Sequence, residues 1–177
     1  MASDQRSPTV LPVHGQSSPD VLKRLDELRN GDVRWRDGRE FSLAYFAGPD
    51  VQALAEDAYK RCAGDNALNT AAFPSLRRMQ AEVLDFASLW LGADRNSAGY
   101  FTSGGTESIL MALKAARDQF AQERGVSRPN VVLPSSAHAA FAKAGAYFGI
   151  ELRRTAVKSD WRADVEAMRS AVDENTI

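Results

Sequence analysis

From residue 106 onward the apolar pattern alternates between helical and strand periods, and this restricts the fold more than any other feature. Ile109, Leu110, Leu113, Ala116 and Phe120 lie on one helical face, and Gly125 stops the run. Val131-Val132-Leu133-Pro134 is short, apolar and β-branched, as a buried strand is. Small residues fill a helical stretch over 139–148, residues 150–157 again look like a strand, and residues 164–172 again look helical. Parallel neighbours need a crossover between them, so this order predicts an α/β architecture with a parallel-rich sheet. Thr176-Ile177 opens like a further strand. Two or three strands cannot cover the helices on offer. Residues 99–177 are therefore expected to be the first part of an incomplete α/β domain, truncated rather than completed by another chain.

Upstream of residue 99 the pattern is helical. Ser18-Pro19-Asp20 reads as a helix start, with Ser18 capping free amides and Pro19 in the first turn. Val21, Leu22, Leu25 and Leu28 follow at helical spacing, and Asn30-Gly31 ends the run. A second helix is expected over 49–61, with Val51, Leu54, Ala55 and Ala58 on one face. A third is expected over 74–91, where Leu76, Met79, Val83, Phe86 and Trp90 form a stripe that predicts a core position for Met79 and Trp90. Residues 41–46 read as a short extended piece or a loop. Residues 18–98 thus make an N-terminal helical segment, and the polar stretch 1–17 reads as a disordered tail.

Composition narrows the function classes. The 177 residues carry 22 basic and 23 acidic side chains, so nothing marks a nucleic-acid surface. The densest basic run, Arg34-Trp35-Arg36-Asp37-Gly38-Arg39, contains its own acid and reads as a solvated loop. Cys62 is the single cysteine, which excludes an intrachain disulfide, and its helical setting reads as a packed thiol. The two histidines, His14 and His138, are far apart in sequence, and no metal-ligand spacing is present. No run approaches the ~18 apolar residues that span a bilayer, and no signal peptide is evident. A cytoplasmic location is expected.

The chemistry concentrates in Ser103-Gly104-Gly105-Thr106-Glu107-Ser108. This segment stands where a helix begins, and a helix mouth offers free backbone N–H groups and the positive end of the helix dipole. Two glycines let an anion approach, and Ser103, Thr106 and Ser108 add hydroxyls; such a set suits a phosphate. Thr106 stands where a nucleotide-binding loop needs lysine, and the dinucleotide glycine spacing is absent, so a single phosphomonoester fits better than ATP or NAD. The spacing also allows a glycine-rich cap with no ligand. His138 follows the strand at 131–134, where loops gather around ligands in parallel sheets. It could stack on a ring or move a proton, or it could cap the next helix.

The run from Tyr100 to Ala112, followed by Lys114-Ala115-Ala116-Arg117-Asp118, resembles the group II pyridoxal-phosphate-dependent decarboxylase superfamily, and within it the sphingosine-1-phosphate lyase branch. Further agreement lies in Asp65-Asn66-Ala67-Leu68-Asn69 with Phe73-Pro74-Ser75, in His138-Ala139-Ala140-Phe141, and from Val165 through Thr176. The resemblance covers about residue 40 to the end. It implies a fold-type I pyridoxal-phosphate-dependent transferase-like architecture and a homodimer with sites at the subunit interface. The cofactor would be pyridoxal 5'-phosphate and the substrate a small-molecule amine or amino acid. It further implies that Gly105 and Thr106 bind the cofactor phosphate, that Ser103 and Gly104 shape the loop, that His138 stacks on the pyridine ring, and that Tyr45, Asn66 and Asn69 face the substrate. The family's reactions are decarboxylation or retro-aldol cleavage beside an amine.

Two departures stand out. Lyase relatives place a histidine where this chain has Asn69, which carries no charge, and this gives weight to an unphosphorylated substrate. The family's imine-forming lysine and the aspartate that pairs with the pyridine nitrogen fall beyond Ile177. Lys23, Lys60, Lys114, Lys143 and Lys158 do not match that lysine. The chain alone is therefore expected to be inactive. The alternative reading is a non-catalytic binding domain derived from the same fold.

Overall fold

The computed structural model describes residues 13–41, 44–94 and 96–177. The chain forms two compact units, Met1–Asn66 and Ala67–Ile177. The expected tail over 1–17 lies largely outside the described residues, as do two positions of the 41–46 piece.

The first unit holds α1 (Ser18–Arg29) and α2 (Pro49–Cys62). Ser17, not Ser18, caps α1: its hydroxyl accepts from the Asp20 amide, which moves the start one residue back and leaves Pro19 in the first turn. Between the helices, Trp35–Asp37 forms a single 3-10 turn closed by Gly38 at φ 68. The basic run is internally paired, with Arg34 on Asp37 at 3.5 Å and Arg36 on Glu56 at 3.2 Å. Trp35 meets Phe46 edge-on at 5.9 Å. Cys62 is half-buried at the end of α2.

The second unit holds α3 (Pro74–Trp90), α4 (Gly105–Arg124), β1 (Asn130–Pro134), α5 (Ala139–Phe148), β2 (Glu151–Thr155) and α6 (Val165–Ser170). β1 and β2 pair in parallel, Asn130 opposite Glu151 and Pro134 opposite Thr155, with α5 as their crossover. The alternation expected from the sequence is present, and where a further strand was expected to open, Thr176 makes a single parallel bridge to Asn130.

The core is small. Leu113 from α4, Val131 and Leu133 from β1, Ala144 from α5 and Ile150 at the entry to β2 form it, with Leu110, Phe141, Phe148 and Leu152 packed around them. α5 lies close to the sheet because its inward face is small. Ala144 is fully buried, and a Cβ on Gly145 would stand 2.9 Å from the Ile150 carbonyl oxygen.

The α3 stripe corrects the sequence reading. Met79 is 46% and Trp90 90% exposed, so neither is core. A helical stripe shows which residues share a face, but burial needs a partner. The two-stranded sheet packs with α4, α5 and α6, and α3 has no buried residue. The α1 stripe, Val21, Leu22, Leu25 and Leu28, is likewise exposed.

Buried polar chemistry fastens the end of the chain to β1. Asn130 is fully buried. Its amide side chain donates to Asp173 at 2.8 Å and accepts from Thr176 at 2.8 Å, and its backbone bonds Asn175 and Ile177. Arg153 pairs with Asp173 at 2.6 Å. The Asn130 bond leads, with Arg153 and the Asn175 amide, in pulling the Asp173 carboxyl from 3.8 down to about 2. A folded-state value below the unfolded one stabilises the fold above about pH 4, and that contribution is lost as pH falls through about 2. Melting followed by circular dichroism should therefore show the native chain above Asp173→Asn in Tm at pH 5, with the gap closing near pH 2. An equal gap at both pH values contradicts this role.

Candidate active site

Chain direction brings two helix starts to one edge of the sheet. α4 enters β1 through a short connection after Gly125, so it runs opposite to β1. α5 leaves β1 through residues 135–138 and returns, so it also runs opposite to β1. The two helices pack side by side and point the same way. At the end of α5, Arg117 from the middle of α4 donates to the Phe148 carbonyl at 3.2 Å and lies over the Phe148 ring. The mouths of α4 and α5 thus both open at the carboxyl edge of the strands, where parallel sheets hold ligands.

The mouth of α4 has no side-chain cap; Gly104 is its N-cap residue. Among the described residues, no protein acceptor takes the N–H of Gly105 or Thr106. The Ser103 amide is engaged instead, donating to the Glu107 carboxylate at 2.6 Å. Bonds from the Ser103 side chain and backbone hold the Glu107 carboxyl below the usual carboxylate range. Ser108 does not extend its hydroxyl toward the opening as the sequence reading had it. It turns back onto Thr102 at 2.6 Å and toward the Gly104 carbonyl. Ser103, Gly104, Gly105 and Thr106 are all exposed.

A hollow of about 360 Å³ lies against this mouth, walled by Val83, Leu84 and Ala87 of α3, by Tyr100 and Phe101, and by Thr102, Gly104, Gly105 and Ser108. A Cβ on Gly104 or Gly105 would meet nothing within 4 Å, so the glycines leave space open rather than avoiding a clash. His138 does not wall this hollow. It is the N-cap of α5 at the same edge, and its Nδ1 accepts from the Ala140 amide at 3.0 Å. With Nδ1 an acceptor, the neutral ring carries its proton on Nε2. The helix-capping role left open by the sequence is therefore made, and the exposed ring is held in one orientation.

The remaining sequence-predicted residues are divided between the two units. Tyr45, 88% exposed, and Asn66 belong to the first unit. Asn69 belongs to the second, where its Oδ1 accepts from the Ala71 amide at 3.1 Å and shapes the approach to α3. Sequence reasoning passed over Thr102, which is half-buried and bonded to the loop. A hydroxyl two residues before a Gly-Gly turn was the available signal. Among the described residues no group of side chains could hold a metal ion, and no helix is long and apolar enough to cross a membrane.

An uncapped helix mouth, unengaged amides at Gly105 and Thr106, the Thr106 hydroxyl and open space beside two glycines together match a phosphate monoester. Comparison with known proteins agrees. The model of the pyridoxal-dependent decarboxylase conserved domain matches residues 3–176. Sphingosine-1-phosphate lyase 1 of Rattus norvegicus is 42% identical over 166 residues, which is 94% of this chain and 29% of that protein. The structure of a Burkholderia pseudomallei sphingosine-1-phosphate lyase superposes with a TM-score of 0.86 at 30% identity, over 98% of this chain and 42% of that one. A Lactobacillus brevis glutamate decarboxylase shares the fold, with a TM-score of 0.71 at 20% identity over 97% of this chain and 40% of that one. The chain therefore spans less than half the length of these proteins. With a family match over nearly its whole length and a helix mouth suited to the cofactor's phosphate, this chain belongs to the pyridoxal-dependent decarboxylase family, whose cofactor is pyridoxal 5'-phosphate.

Proposed function

We propose that this chain carries the cofactor-phosphate end of a pyridoxal-phosphate-dependent carbon–carbon lyase of the sphingosine-1-phosphate lyase type, acting on an amine. The observation that carries the reading is the open mouth of α4, with Gly105 and Thr106 amides unengaged. Retro-aldol cleavage is favoured over decarboxylation by the 42% identity to the rat lyase.

In this reading the Gly105 and Thr106 amides and the Thr106 hydroxyl hold the phosphate. Gly104 leaves it room, and the Ser103–Glu107 bond keeps the loop closed behind it. The His138 ring, fixed by its own capping bond, would stack on the cofactor's ring. Bound there, the cofactor supplies an electron sink for the pair left when the carbon–carbon bond beside the amine breaks. Asn69 faces the substrate, and its Nδ2 remains a donor while its Oδ1 serves the turn. Lys114 is paired with Asp118, and Lys143 lies over the Tyr147 ring at 5.4 Å. The apolar residues exposed on α1 and α3 favour a homodimer. We place the protein in the cytoplasm.

Titration of the chain with pyridoxal phosphate, followed by fluorescence, tests the site. Thr106→Ala removes a hydroxyl donor to a dianion, a bond that contributes ~1.5–3 kcal/mol. Affinity should fall tenfold or more by that estimate, at unchanged Tm. Undiminished affinity counts against the assignment. In the full enzyme, aldehyde release from a phosphorylated amino alcohol, against CO₂ release from amino acids, separates the two reactions.

A further inference from the structure

The Gly104 carbonyl is held from several sides. It accepts the Ser108 amide at 3.1 Å. The Thr102 hydroxyl lies 3.1 Å away and the Ser108 hydroxyl 3.3 Å away. These hydroxyls are also 2.6 Å from each other. The pair carries two protons in all. One lies between the oxygens, so the other reaches the Gly104 oxygen whichever way the pair is arranged. With the Ser108 amide, the carbonyl then has a donor for each of its lone pairs.

A peptide group is planar and trans, so its C=O and N–H point in opposite directions. The Gly104 C=O and the Gly105 N–H belong to the same peptide. Holding the oxygen toward Thr102 and Ser108 aims the Gly105 N–H the other way, out of the helix mouth. Two successive glycines bring no side chain that could hold this plane, and their backbone is the least restricted of any residue. The first helical bond, from the Ser108 amide, sets the direction of the carbonyl, and the hydroxyl pair adds a second restraint on it.

We infer that Thr102 and Ser108 are positioning residues that fix the 104–105 peptide so that the Gly105 amide is presented to the cofactor phosphate. The inference rests on the cofactor site proposed above. It gives Ser108 an indirect role, because its hydroxyl is engaged inside the loop rather than directed at the anion.

The test compares binding of pyridoxine 5'-phosphate and pyridoxine to the whole chain. Neither has an aldehyde, so neither links to surface lysines, and the ratio of their dissociation constants isolates the phosphate's contribution. The native chain should prefer the phosphate ester strongly. Ser108→Ala and Thr102→Val should each lower the ratio about tenfold, equivalent to ~1.4 kcal/mol. Ser108→Thr and Thr102→Ser keep a hydroxyl and should restore it. A merely structural role would lower Tm and leave the ratio alone. An unchanged ratio in both hydroxyl deletions overturns the inference while leaving the phosphate site standing. A native chain that does not distinguish the two ligands overturns both.

Discussion

Gly145→Val is expected to lower the stability of the second unit by about 3 kcal/mol, the upper part of the range for overpacking a core. Glycine inside a helix normally costs about 1 kcal/mol relative to alanine, so a side chain here would help if space allowed. Space does not allow it. The Cβ alone would stand 2.9 Å from the Ile150 carbonyl oxygen and 3.0 Å from Leu152 Cγ. The carbonyl is backbone and cannot swing aside, and Gly145 itself accepts the Ile150 amide through its own carbonyl. The steric term therefore exceeds the propensity term, and valine adds two methyl groups to the conflict. Ala146→Val, on the exposed face of the same helix, is the control and should change stability by less than about 1 kcal/mol. Thermal melting of the two variants checks the prediction: a drop of roughly 10 °C for Gly145→Val and little for the control. Equal melting temperatures would show that α5 can move off the sheet at no cost.

Gly105→Val should behave in the opposite way, leaving the fold intact and abolishing cofactor binding. Nothing lies within 4 Å of a Cβ at this position, and its backbone is not left-handed, so no strain opposes the change. The new side chain would stand in the open space beside the α4 mouth, where the proposed function puts the phosphate. Affinity for pyridoxine 5'-phosphate is expected to fall about 100-fold or more, the equivalent of ~2.7 kcal/mol, with Tm unchanged. Binding by calorimetry beside melting by circular dichroism separates the effects. Native affinity in a folded variant would mean the anion sits elsewhere. The two glycines thus differ by what occupies the missing side chain's place: protein at 145, open space at 105.

Most of the second unit was legible locally. The α5 limits, 139–148, follow from small apolar residues between His138 and Gly149, and the structure shows the same span with Gly149 at φ 67. The stop at Gly125 and the strand at 131–134 were equally plain, because each depends on neighbours in sequence. The glycine-rich start of α4 was legible for the same reason. The inward turn of the Ser108 hydroxyl was not, since it depends on where Thr102 comes to lie. The burial expected for Met79 and Trp90 also failed, because periodicity reports a shared face and says nothing about what covers it.

Sequence by itself determined the element order, the parallel-rich α/β class, the glycine-rich helix start and the family likeness, all carried by residues close along the chain. Only the tertiary structure decided that α4 and α5 open at one edge, that His138 holds its ring with a capping bond, that Asn130 anchors Asp173 and Thr176, and that a hydroxyl pair meets the Gly104 carbonyl. The directions of hydrogen bonds and the packing partners of a face arise when distant segments meet, and spacing along the chain does not encode those meetings.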